Sequence, residues 1–222
     1  MQIAPLLQIG RGVTALIGGG GKTTLLYTLA EELRGKGRVL LCTSTHIRLP
    51  ERYPLVTEGP EVLRGELEAH GAVCAGTPAG DGKLTAPSLP FETLAAMADY
   101  VLVEADGSKG LPLKAHAGHE PVIPPNAQRV VLVLGASGFG RPIAESCHRP
   151  ELYAERAGVS ADAAVTPELA ARVITAEGFG DRVYVNQVET AAGYADAEAL
   201  SRRLSCPVAA GSLHSGVYVR LK

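Results

Sequence analysis

The chain has 222 residues, of which 46% are apolar and 20% charged, and its formal net charge is −2. That is enough apolar material for one good core, and so near-neutral a balance argues against a nucleic-acid binder that works by bulk electrostatics. No stretch approaches the roughly 18 apolar residues of a membrane span. Met1 to Val13 is broken by Pro5, Gln8 and Gly10 and has no basic leader, so it does not read as a signal peptide. The expectation is a cytoplasmic protein with neither membrane nor nucleic acid among its partners. The cysteines at 42, 74, 147 and 206 form no Cys-x-x-Cys pair, and reduced thiols are expected.

Short apolar runs alternate with longer helical stretches, which predicts an α/β chain with a mostly parallel sheet. Val13 to Ile17 reads as a buried strand. Thr23 to Leu33 reads as a helix, with apolar Leu25, Leu26, Leu29, Ala30 and Leu33 at spacings of three and four, and Gly35 and Gly37 as stops. A strand over Arg38 to Cys42 and a short helix over Pro60 to Ala69 follow. Residues 72–86 read as a β-hairpin excursion turning at Asp81-Gly82. Pro90 to Ala98 is a helix and Tyr100 to Glu104 a strand. The Gly- and Pro-rich loop of about 105–126 is long enough to be functional. Arg129 to Leu134 is a strand, Pro150 to Ala157 and Pro167 to Glu177 are helices, and Arg182 to Asn186 is a strand. A helix over Ala195 to Leu204 and two short strands, Pro207 to Gly211 and Val217 to Leu221, end the chain. The whole of 1–222 is expected to form a single nucleotide-binding domain.

The strongest signal lies where the first strand runs into Gly18, Gly19, Gly20, Gly21, Lys22, Thr23 and Thr24 and then a helix. Glycines let the backbone curl with its N–H groups inward and admit phosphate oxygens without a Cβ in the way. The helix N-terminus adds partial positive charge. Lys22 can reach the β and γ phosphates, and the Thr23 hydroxyl sits where a Mg²⁺ ligand is needed. The ordinary P-loop has a glycine five places before Gly21, a position held here by Leu16. The shortened Gly-x-x-Gly-Lys-Thr-Thr form is similar to that of the Mur ligase and folylpolyglutamate ligase group.

The strand ending at Glu104 has the shape of a Walker B strand and delivers Glu104 and Asp106 to the edge where ligands bind in open α/β sheets. One carboxylate can hold Mg²⁺ and the other orient an attacking water, which makes Lys22, Glu104 and Asp106 the catalytic candidates and Thr23 with Glu104 the metal candidates. The other reading is an Asp-Gly turn with Glu104 in an ordinary ion pair. Thr43, Ser44, Thr45 and His46 after the second strand either position water, metal or phosphate or serve as cap and loop filler.

Four patterns compete. Val131 to Arg141 resembles the glycine-rich entry of extended short-chain dehydrogenases and also a second P-loop. Its third glycine, Gly140, comes one place early for the first, and Pro142 stands where the second needs Ser or Thr. Neither is read as a primary nucleotide site. Arg141, His148 and Arg149 form a basic cluster that either meets a phosphate or acidic substrate or is a solvated loop. His116, His119 and Glu120 suggest a metal site, but Gly118 and Pro121 oppose the helix that would put both rings on one face. Asn186-Gln187-Val188-Glu189 is similar to the Asn-Lys-x-Asp base-reading motif of GTPases. Gln replaces Lys there and the longer Glu replaces Asp, so the reading leans to ATP with GTP the alternative.

Taken in order, the glycine loop, Thr43-Ser-Thr-His-Ile, Val103 to Lys114, His119 to Pro124, Gly140-Arg-Pro and His148-Arg-Pro-Glu151 resemble the selenium-dependent molybdenum hydroxylase accessory family, the YqeC-like proteins. The resemblance covers about 14–211. It implies a three-layer α/β P-loop NTPase-like fold with a mostly parallel central sheet, and a site in which Lys109, Lys114, His119 and Glu120 join the P-loop. It also implies a Mg²⁺- and ATP-dependent accessory or maturation role toward such a hydroxylase or its cofactor. The reaction is either hydrolysis or phosphoryl or nucleotidyl transfer. The alternative is a nucleotide-gated chaperone or insertion factor for the partner enzyme. Arg141, where Lys is common in the family, and the 186–189 segment depart from its pattern.

Overall fold

The computed structural model describes residues 2–48, 52–80 and 82–222. In chain order these form α1 (Ile3–Leu6), β1 (Gly12–Gly18), α2 (Lys22–Leu33), β2 (Val39–Thr43), β3 (His46–Arg48), β4 (Leu55–Val56), α3 (Pro60–His70) and β5 (Ala72–Ala75). Next come β6 (Thr77–Pro78), β7 (Lys83–Thr85), α4 (Phe91–Met97), β8 (Tyr100–Glu104), β9 (Leu113–Lys114) and β10 (Ala127–Gly135). A 3₁₀ turn at Ala136–Gly138 leads into α5 (Ile143–Ser146), β11 (Cys147–His148), α6 (Pro150–Ala157) and α7 (Pro167–Glu177). The chain ends with β12 (Arg182–Asn186), α8 (Ala191–Ser201), β13 (Val208–Ser212) and β14 (Val217–Arg220).

The central sheet has the order β14-β13-β12-β10-β1-β8-β2-β5-β4. Every neighbouring pair is parallel except β13 with β14. Strands buried on both faces send alternate side chains into two cores. On β1, Leu16 joins Leu25, Leu29, Leu41 and Leu102 beneath α2. Ala15 and Ile17 point the other way, toward Leu134, Tyr153, Val173 and Leu200 beneath α6, α7 and α8. Helices α3 and α4 cover the rest of that second face through Leu63, Leu67 and Leu94. The result is the expected three-layer P-loop NTPase-like fold. β8 and β10 enter on either side of β1, so the segments leaving all three strands converge on Gly18. No helix among the described residues is long and apolar enough to cross a membrane.

Packing rather than capping holds α2. Its buried leucines contribute about 1.5–3 kcal/mol each. Its N-cap, Gly21, supplies no side-chain cap. That leaves the first-turn N–H groups without a local partner.

Several segments differ from the sequence expectation. Ala72–Ala75 is not half of a hairpin: it is a strand of the main sheet, paired with Val39–Leu41. The excursion is smaller, a three-stranded sheet in which β7 pairs with both β6 and β3. Its expected turn includes Asp81, which lies outside the described residues. Helix α1 has no sequence signature because its cap is distant: the Glu32 carboxylate accepts the N–H groups of Ile3 and Ala4, both at 2.8 Å. Helix α8 begins four residues early, because the Thr190 hydroxyl accepts the Gly193 N–H at 3.1 Å and sets an N-cap there. The 105–126 segment also has more order than a loop, for β9 within it pairs with β11.

Candidate functional site

The glycine run is shaped by close approach. Gly20 has φ +69°, and a Cβ there would lie 2.2 Å from the Gly135 nitrogen. Gly18 has φ +97°, with Val133 O at 2.3 Å from such a Cβ. No L side chain fits either place. The N–H groups of Gly18, Gly19 and Gly20 are already used, donating to Asp106 Oδ2 (2.8 Å), Val133 O (2.9 Å) and Leu111 O (3.0 Å). Those of Gly21 to Thr24, at the start of α2, make no hydrogen bond among the described residues, the first helical bond being Leu25 N–H to Gly21 O. Thr23 and Thr24 are exposed at the mouth of a cleft of about 950 Å³.

Lys22 is folded inward and only 4% exposed. Its ammonium donates to Gly18 O at 2.7 Å and lies 3.2 Å from Asp106 Oδ1 and 3.8 Å from Glu104 Oε1. The Thr23 hydroxyl donates to Glu104 Oε2 at 2.8 Å. Parallel pairing places Glu104 beside Leu16 on one side and Thr43 on the other, which fixes its height at the sheet edge. Thr43 donates to the Glu104 carbonyl at 2.7 Å, and Thr45 lies 3.4 Å from the Thr43 hydroxyl, so that cluster braces the strand end. Burial pushes the Glu104 carboxyl up, and Lys22 and Thr23 offset only part of it. A carboxylate beside a threonine hydroxyl is a pair of hard oxygen donors that fits a divalent cation.

Asp106 is the hub of a second, buried network. Its Oδ2 accepts from His116 Nε2 at 2.6 Å and lies 3.5 Å from the Lys114 ammonium. His116 Nδ1 meets Glu177 of α7 at 2.5 Å, and Arg156 of α6 closes the chain by pairing with Glu177. Burial alone would raise Asp106; the hydrogen bond with His116 and the charges of Lys22 and Lys114 outweigh it and hold the carboxyl down. Burial alone would lower His116, but Asp106 and Glu177 raise it and favour the imidazolium. His116 and Glu177 were not legible as a pair: they are 61 residues apart.

The remaining candidates fall into three places. Lys114 does not look out on a cleft. Its side chain is 0% exposed and donates to Glu120 at 2.8 Å and to the Gly107 carbonyl. Glu120 also takes Arg149 Nε at 2.7 Å, and Arg149 reaches His119 at 3.3 Å. His148, on β11, flanks this group; burial first, then Lys114 and Arg149, lower its ring. Lys109 is exposed at the tip of the segment with φ +52°. Arg141 is exposed and pairs with Glu145 at 3.5 Å, outside the network. His116 and His119 turn to different partners, Asp106 with Glu177 and Arg149.

The Glu120 arrangement makes an acid-stability prediction. Burial would raise this carboxyl, but Arg149 and Lys114 hold it at about 2. A depressed folded value gives stability that is present above the unfolded value of about 4.3 and is lost as pH falls toward 2. Denaturant titrations between pH 2 and 6 should show Glu120→Gln losing part of that slope relative to the unaltered chain. Parallel slopes would count against the pairing.

Comparison with known proteins bears on the same segments. The YqeC protein family matches residues 14–151, from β1 through the start of α6. YqeC of Escherichia coli (strain K12) is 36% identical over 160 residues, 68% of this chain and 62% of that protein, so the matched part falls short of the relative's full length. Among solved structures, the chain is similar to the signal recognition particle 54 kDa protein from Aeropyrum pernix K1 in complex with GDP. That match has 19% identity and a TM-score of 0.42, and it covers 96% of this chain and 44% of that one. It is too distant to bear on ligand or activity. By the extent of the family match and the identity to its Escherichia coli relative, this chain belongs to the YqeC protein family.

Proposed function

We propose that the chain binds a Mg²⁺–nucleoside triphosphate at the start of α2 and acts as an accessory or maturation factor for selenium-dependent molybdenum hydroxylases. The observation that carries the binding reading is the set of unpaired N–H groups from Gly21 to Thr24 above the large cleft. An anion there gains four oriented donors and the helix dipole. Lys22, released from Gly18 O, Glu104 and Asp106, supplies the cation to the β and γ phosphates. Asp106 does not lose its charge balance when Lys22 leaves, because His116 and Lys114 remain. Thr23 and Glu104 would hold Mg²⁺, which supplies charge neutralisation on the phosphate oxygens. The hydroxylase connection rests on the family resemblance of the ordered motifs.

Glu104→Gln tests the metal role. It keeps size and the acceptor for Thr23 and removes the charge. Melting curves with nucleotide, with and without Mg²⁺, should show the Mg²⁺ increment shrinking toward zero while nucleotide alone still stabilises. A full increment in the variant would remove Glu104 from the metal site.

The enzyme reading is phosphate hydrolysis or group transfer, with Asp106 or Glu104 orienting the attacking group. One feature favours the switch reading. Lys22 touches Asp106, and Asp106 is tied through His116 to Glu177 on α7 and Arg156 on α6. Nucleotide arrival at Lys22 would therefore alter the pairing of a buried network that ends on two helices. Consumption of the nucleoside triphosphate measured with the protein alone and with a selenium-dependent molybdenum hydroxylase present separates the two. Turnover alone supports the enzyme, and turnover that needs the partner supports the switch. No consumption in either case would sink both.

A further inference from the structure

The cleft beside the phosphate loop is larger than phosphates need. Its roughly 950 Å³ is lined by Thr23 and Thr24, by Gln187 and Glu189 after β12, and by Ser212 and His214 at and just beyond the end of β13. A nucleotide held by the N–H groups of Gly21 to Thr24 must lay its sugar and base along this cleft. The opposite side of the loop is closed, because Gly18, Gly19 and Gly20 pack directly on the backbone of Val133, Leu111 and Gly135.

The wall formed by the segments after β12 and β13 is built. The Asn186 amide donates to Gly20 O at 2.8 Å, and its Oδ1 accepts the Leu213 N–H at 3.0 Å. That one buried side chain ties the phosphate loop, β12 and the segment after β13 together. Ser212, 2% exposed, donates its hydroxyl to Glu189 Oε1 at 2.8 Å and accepts the Ser215 N–H at 3.2 Å. Glu189 is thereby anchored on the cleft wall by one oxygen, and Oε2 makes no hydrogen bond among the described residues.

We propose that Glu189 reads the base of the nucleotide and that the base is guanine; this rests on the phosphate site of the preceding section. A carboxylate only accepts hydrogen bonds. Guanine alone among the common bases presents two adjacent donors on its pairing edge, N1–H and the N2 amino group, which a carboxylate takes as a parallel, charge-assisted pair. Adenine presents one donor beside the N1 lone pair, so Glu189 would gain one bond and face one repulsion. Uracil has a single N–H between two acceptors. Glu189 is longer by one methylene than the Asp of the GTPase motif, the ground on which the sequence leaned to ATP. In the fold that extra length is taken up by the reach to Ser212.

The test is binding of GTP, ATP and xanthosine triphosphate, each with Mg²⁺, and of inorganic tripolyphosphate, to the full chain and to Glu189→Gln. The expected result is GTP binding at least about 100-fold tighter than ATP, since a site built around substrate hydrogen bonds discriminates strongly against a ligand lacking them. Xanthine carries a carbonyl in place of the N2 amino group, and a glutamine amide can donate to it. Glu189→Gln should therefore weaken GTP and strengthen xanthosine triphosphate, a crossed change that mere damage to the cleft cannot produce. If ATP, GTP and tripolyphosphate bind alike, or if the variant weakens every nucleotide equally, the base assignment is overturned while the phosphate site stands. If none of the four binds, the phosphate site itself falls, and the base assignment with it.

Discussion

Lys22→Ala is expected to weaken binding of any nucleoside triphosphate by about 100-fold or more. Lys22 is the side-chain cation at the start of α2, and a hydrogen bond to a charged group contributes about 1.5–3 kcal/mol. Two such bonds to phosphate oxygens make about 3–6 kcal/mol, at 1.4 kcal/mol per tenfold. The fold should survive with a modest cost. The alanine leaves Glu104 and Asp106 without their shared cation, but Asp106 keeps His116, Lys114 and the Gly18 N–H. Glu104, whose carboxyl burial already pushes up, can take a proton instead. The loss should therefore stay below the roughly 3–5 kcal/mol of a buried pair broken outright. Titration of a fluorescent nucleotide, paired with a melting curve, reads both. Equal affinity for the two proteins would refute the phosphate assignment.

Lys114→Ala should have the largest effect on stability. From the sequence, Lys114 sits in a Gly- and Pro-punctuated segment with little apolar content, which reads as one wall of the active cleft with Lys114 facing an anionic substrate group or the γ-phosphate, and a small stability cost is the expectation. The structure places its ammonium in a closed chamber with Glu120, the Gly107 carbonyl and Asp106. Removing it leaves two buried carboxylates with one partner fewer and a carbonyl with none from this side chain. The cost is about 3–5 kcal/mol, or a fall in melting temperature of roughly 6–20 °C at about 2–4 °C per kcal/mol. Lys114→Met keeps the bulk of the stem and removes the charge, so it separates lost packing from lost pairing. A methionine variant melting like the unaltered chain would show that the charge is not what stabilises this segment. An unchanged melting temperature for the alanine would remove Lys114 from the buried network altogether.

Features that depend on near neighbours in the chain were legible before any fold was known. The strand-glycine-helix passage at 13–33 is such a case, because glycine conformation, a buried apolar strand and three-four spacing of leucines are local properties. So is the Walker B-like strand at Tyr100–Glu104, and the parallel order of the elements follows from their alternation. The YqeC resemblance belongs here too, since it rests on motifs read in order. Features that depend on residues brought together from afar emerged only with the folded chain. Ala72–Ala75 carries the pattern of a hairpin arm but finds better partners in the main sheet, between β2 and the edge strand β4. Glu32 caps a helix some 28 residues away. The direction of a charged side chain is the clearest instance. Nothing near Lys114 or His116 in sequence tells that Asp106 and Glu177 will enclose them, because the cost of burying a charge is met only by groups that the folded sheet and α7 supply. The same reason hid the split within the glycine loop. Which N–H groups stay open to an anion depends on whether Val133 and Leu111 offer their carbonyls to the others, and only the packed strands and the 105–126 segment put them there.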